Sequence, residues 1–138
     1  MLLAGIILNI SRLLESNIRG GIMKDNVKDK LVVIWSSGDR EVAEKMVFMY
    51  TLNSKLRLWW KEVTFIIWGP SAKLISEDIE LQEYLEKLKD AGVILEACIT
   101  CADMYRVSKK LAVLGVDVKP MGLPLTEYLK DGRAVITF

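Results

Sequence analysis

Two cysteines, Cys98 and Cys101, are the residues of this sequence best suited to chemistry. They are the only cysteines in 138 residues, spaced C-x-x-C, and the chain has no histidine. Without imidazole, the usual acid/base and metal-binding group near neutral pH is missing. If the protein does chemistry, sulfur is the best candidate to carry it, since nothing in the sequence marks a pair of catalytic carboxylates. The pair sits where the short apolar run Val93 to Ala97 passes into a helical pattern. A thiol at such a junction is expected to meet free backbone N–H groups and the positive end of a helix, which favour thiolate over thiol. On that expectation Cys98 faces the first-turn N–H groups and is the more acidic sulfur. Cys101, one turn in, is either a resolving thiol or part of the core. A metal site is not expected, because two thiolates supply half of a tetrahedral zinc set and one chain offers no second pair.

The elements that must hold this pair follow from the hydrophobic pattern. Leu31 to Trp35 and Val63 to Trp68 are short continuous β-prone runs, the pattern of strands covered on both faces. Val116 to Val118 and Ala134 to Phe138 give two further short strands. Between them lie helical stretches. The first starts at an Asp39 cap, with Val42, Met46, Met49 and Tyr50 on one side. The second starts at a Ser76 cap, with Leu81, Tyr84, Leu85 and Leu88 in a stripe ended by Gly92. The third carries Met104, Val107, Leu111 and Leu114, and a short last helix begins near Pro124. Strands alternating with single helices imply an α/β fold: a three-layer α/β/α sandwich with a five-stranded parallel sheet, doubly wound.

In such a sheet every strand-to-helix turn lies at the carboxyl edge. Ser36-Ser37-Gly38, Gly69-Pro70-Ser71, Cys98 with Cys101, and Met121-Gly122 are therefore expected along one rim that can bind a ligand. Trp35 and Trp68 end their strands near it, as core residues or as the wall of an apolar pocket. Trp59-Trp60 fall at the opposite edge, in intrachain packing or at a subunit interface. No dinucleotide fingerprint or phosphate-binding loop occurs, and no cofactor is expected.

Composition narrows the partners. Half of the residues are apolar, 27% are charged and the net charge is +1, a balance that offers nothing to nucleic acid or to an acidic membrane. Two cysteines three apart form no disulfide framework, so a reducing cytoplasm is the expected compartment. Residues 1–22 read as an amphipathic or disordered extension, with Leu3, Ile6, Ile7, Ile10, Leu13, Leu14 and Ile18 near helical spacing before Gly20-Gly21. The folded domain is expected over residues 23–138.

With the rim and the cysteine segment assembled, the chain resembles the DsrE/DsrF-like family over about residues 28–138. The resemblance rests on S-S-G-D-R after the first strand, F-I-I-W-G-P-S-A-K-L, E-A-C-I-T-C-A-D-M and the tail V-K-P-M-G-L-P-L-T-E-Y-L-K-D-G-R-A-V-I-T-F. It implies homotrimers or homohexamers and a role in sulfur relay, a sulfurtransferase-type activity. In that role the cysteine after the third strand, here Cys98, takes sulfane sulfur as a persulfide and passes it to a sulfur-carrier protein. Cys101 is an addition to the minimal family pattern. Two competing readings follow from the residues: a dithiol/disulfide oxidoreductase using both cysteines, and a non-catalytic oligomeric module that binds a ligand or partner at the rim.

Overall fold

The computed structural model describes residues 29–138. The extension read over residues 1–22 and the domain start at Met23 lie outside the described residues. Five parallel strands form one sheet in the order β4-β3-β2-β1-β5. They are β1 (Lys30–Trp35), β2 (Glu62–Ile67), β3 (Ile94–Cys98), β4 (Asp117–Lys119) and β5 (Ala134–Thr137). Successive strands step outward from β1 to β4, and the chain then returns to place β5 beside β1. Right-handed crossovers make that reversal put the last helix on the opposite face from the others.

The two faces are unequal. Leu31, Val33, Trp35, Val63, Phe65, Ile67, Leu95 and Ala97 point to the larger core, alternating along their strands as the pleat requires. Helix α1 covers much of this face and runs over residues 40–56. Its middle, Ala43–Phe48, is π-helical between α-helical ends Arg40–Val42 and Met49–Leu56. Asp39 caps it as expected, its carboxylate accepting from the Glu41 and Val42 N–H groups. The buried side is Ala43, Val47, Phe48, Thr51 and Ser54, while Met46 and Met49 are half exposed, not inward as the sequence pattern implied. A π-helical turn is wider than an α-helical one, so it shifts which residues face the sheet. Phe48 then packs edge-on to Trp35 with ring centres 5.1 Å apart.

The next crossover holds two helices where the sequence showed one. Residues Pro70–Glu77 form α2, with proline in the first turn, where its missing N–H costs nothing. Ser76 is therefore an interior, buried residue bonded to the Lys73 carbonyl, and the cap of α3 (Ile79–Asp90) is Asp78, which accepts from Leu81 N–H. Asp78 also takes the Arg40 guanidinium at 2.8 Å, tying α1 to α3. The helix expected after the cysteines is likewise two: α4 (Ile99–Met104) and α5 (Ser108–Val113). Arg106, at φ +59°, breaks the run in the left-handed region, and Met104 is exposed where the stripe placed it inside.

The second face is covered by α6 (Gly122–Lys130). Val32, Ile66, Cys98 and Met121 are buried there, with Ile34, Trp68, Cys101, Tyr128 and Val135 packed against them. At the amino edge Trp60 packs on the main core, while Trp59 is half exposed against Tyr50. Trp59, Met46, Met49 and Ile136 line an open apolar groove of about 340 Å³ between α1 and β5. Among the described residues no helix is long and apolar enough to cross a membrane.

Candidate functional site

Cys98 is the last residue of β3 and the residue at the start of α4. Its position in the pleat, two residues after Glu96, turns both side chains to the α6 face. There the Cys98 side chain is only 6% exposed, within a buried cluster that includes Ile66 and Met121. It makes no side-chain cap bond to the first turn of α4. The expected contact between Cys98 and those N–H groups is thus corrected. The strand end that brings Cys98 to the rim also turns it under the sheet, away from them.

Cys101 takes the accessible place. It is partly exposed and packs against the cluster that holds Cys98, with the Gly69 N–H nearby. Burial pushes the Cys101 thiol up from its ordinary range; the Gly69 N–H pulls the other way, and Cys98 adds to the rise. Gly69 can aim its N–H there because it adopts φ +76°, ψ −140°, a backbone conformation that glycine alone takes without strain.

The other rim residues sort into two groups. Gly38 and Pro70 meet, since a Cβ on Gly38 would lie 3.2 Å from the Pro70 Cβ. With Lys73, Leu74, Glu77 and Tyr105 they line a shallow cavity of about 250 Å³. Gly122 has open space around it, and Met121 is buried in the same cluster as Cys98. Ser36, Ser37 and Ser71 are occupied. The Ser36 and Ser37 N–H groups and the Ser36 hydroxyl all donate to the backbone oxygen of Phe138. Ser71 is fully buried and its hydroxyl donates to the Trp35 carbonyl. These three serines fasten the rim together and leave little to offer a ligand. Trp35 lies in the main core on the other face from Cys98, and Trp68 packs beside the cysteine cluster.

One constellation escaped the sequence reading. Glu96, 3% exposed in the middle of β3, accepts at one oxygen from the Lys119 ammonium at 3.1 Å and the Tyr128 hydroxyl at 2.8 Å. The signal was present: an acidic residue inside an otherwise apolar strand must be paired if buried. Lys119 stands opposite Cys98 in the strand register, and the carboxylates of Asp117 and Glu96 hold its ammonium above the ordinary range. Arg133 lies over the Tyr128 ring at 4.3 Å. Among the described residues no group of three or more Cys, Asp or Glu side chains is arranged to hold a metal ion.

Tyr128 carries a testable consequence. Burial, then the Glu96 carboxylate, push its pKa from 10.0 up to about 12. The fold therefore favours the neutral phenol, and this contribution to stability is intact below pH 10 and lost as pH rises through about 12. Tyr128→Phe is expected to flatten the stability-versus-pH curve in that window, measured by denaturation at stepped alkaline pH. A variant curve parallel to wild type contradicts the pairing.

Comparison with known proteins adds the following. The model of the DsrE/DsrF-like family matches residues 30–138. A solved conserved protein of unknown function from Bacteroides thetaiotaomicron, BT1422, is 38% identical with a TM-score of 0.77, covering 80% of this chain and 95% of that one. The ychN protein from E. coli shares the fold at a TM-score of 0.65 and 15% identity, covering 80% of this chain and 99% of its own. No curated protein matches the chain.

Proposed function

Because the chain belongs to the DsrE/DsrF-like family and its two thiols lie together at the carboxyl rim, we propose that it is a sulfur-relay protein. It carries sulfane sulfur as a cysteine persulfide and passes it to a partner carrier protein. The observation that carries this reading is the pairing itself: two free thiols in one cluster at the strand end, one of them reachable from solvent. A thiolate at the rim attacks the sulfane sulfur of a donor, the donor's own sulfur leaves with the bonding electron pair, and the extra sulfur remains on the protein. A partner thiolate then takes the outer sulfur by the same displacement. Neither step needs a metal or an organic cofactor.

Self-association belongs to the same proposal. The apolar groove beside edge strand β5, with Met46, Met49, Trp59 and Ile136 around it, is surface that a copy of the chain can cover. Intact-mass spectrometry after incubation with inorganic polysulfide tests the sulfur chemistry. Wild type is expected to gain about 32 Da, reversibly with a dithiol reductant, and Cys98→Ser/Cys101→Ser to gain nothing. A wild type that stays at its own mass across several sulfane donors sinks the proposal.

A further inference from the structure

We propose that the two cysteines have separate stations in one chain: Cys101 is the thiol that meets the sulfur donor, and Cys98 is the thiol behind it that stores the sulfur. This deepens the sulfur-relay reading and rests on it. It also departs from the sequence expectation, which placed loading on Cys98.

Access separates the two sulfurs. A donor must bring its sulfane sulfur to bonding distance with the leaving sulfur in line behind it, and Cys98 has no such approach. It is 6% exposed, within a buried cluster that includes Ile66 and Met121. Cys101 is partly exposed and lies near the Gly69 N–H. That N–H is in place to steady negative charge on the Cys101 sulfur, first as thiolate and then as the departing group when sulfur moves on. Cys101 packs against the cluster that holds Cys98, one helical turn away, and this proximity supplies the second transfer path.

The chemistry balances without an outside oxidant. Cys101 thiolate bonds to the donor's sulfane sulfur, the donor S–S bond breaks, and the donor leaves as a thiolate. The Cys98 thiol then attacks the outer sulfur of the Cys101 persulfide. A new bond forms between Cys98 and that sulfur, the bond from Cys101 breaks, and the Cys98 proton ends on the Cys101 sulfur. Sulfur moves at constant oxidation state. On Cys98 it lies in the buried cluster shared with Met121, an unbranched and adaptable side chain that can give way to one added atom. Solvent reductants are thereby kept from it, and delivery to a partner runs the same two steps in reverse through Cys101.

Two measurements on the intact chain test the assignment. The first is limited alkylation of unloaded wild type with peptide mapping. Cys101 is expected to react at least about tenfold faster than Cys98, and the reverse order overturns the assignment whatever the protein does with sulfur. The second uses inorganic polysulfide as the probe. Wild type is expected to hold the added sulfur on Cys98. Cys98→Ser is expected to hold it on Cys101 and lose it to a dithiol reductant at least about tenfold faster. Cys101→Ser and Cys101→Ala are expected to load at least about tenfold more slowly than wild type. Loading of both Cys101 variants at the wild-type rate overturns the two-station scheme while leaving sulfur carriage in place. Release of hydrosulfide with a Cys98–Cys101 disulfide overturns the storage step. Uptake of no sulfur by wild type overturns the relay reading beneath it.

Discussion

Trp35→Ala is expected to destabilise the protein by about 3–5 kcal/mol, the largest single effect foreseen for this chain. The side chain is fully buried at the end of β1, in an aromatic cluster with Phe48 at 5.1 Å and Phe65 at 5.9 Å between ring centres. Truncation removes the ring's transfer energy and leaves a cavity that two other aromatic rings, themselves locked by neighbours, can fill only in part. The position also matters for the rim. The Trp35 backbone carbonyl accepts from the Trp68 N–H at 3.0 Å and from the Ser71 hydroxyl, so the first and second strand-to-helix turns are joined at this residue. Chemical denaturation gives the check: a lower midpoint with an unchanged slope. A loss under about 1 kcal/mol contradicts the packing described. Because Trp35 lies on the opposite sheet face from Cys98, Trp35→Phe is expected to leave the order of thiol alkylation as in wild type.

The second large effect is expected at Gly69. An added Cβ there meets nothing nearer than the Ser36 backbone oxygen at 3.9 Å, so Gly69→Ala meets no clash. Its cost is conformational. An L-residue held near φ +76°, ψ −140° is strained by about 1–3 kcal/mol, and relief requires rotating the peptide whose N–H reaches Cys101. Stability and thiol chemistry should therefore change together. The Gly69 N–H favours the Cys101 thiolate, so losing it moves the thiol's titration to higher pH. The pH profile of Cys101 alkylation, followed by peptide mapping, is the readout. A profile that stays in place while stability falls would mean that the N–H has no influence on that sulfur.

The sequence pattern revealed what depends on local chemistry. Five strands with parallel pairing, the Asp39 cap and the placing of the cysteines on the carboxyl rim all follow from apolar runs, capping residues and alternation. Features that depend on the third dimension were hidden. The π-helical middle of α1 shifts the buried face to Val47 and Phe48, and nothing in a 3.6-residue period announces that. Pro70 looked like the end of a turn and is the start of a helix, which moved the next cap from Ser76 to Asp78. Arg106 adopts a left-handed conformation more usual for glycine or asparagine, so the break between α4 and α5 carried no residue signal. The exchange of roles between the cysteines has the same origin. Spacing sets Cys98 and Cys101 one turn apart, but only the strand's facing shows which sulfur goes under the sheet.

Sulfur carriage by these thiols is read out by cyanolysis of the polysulfide-treated, desalted chain. Cyanide takes the outer sulfur of a persulfide as thiocyanate. Wild type is expected to release about one thiocyanate per chain, and protein alkylated at both cysteines before treatment to release none. Equal thiocyanate from the alkylated and free proteins, or none from either, would contradict the claim.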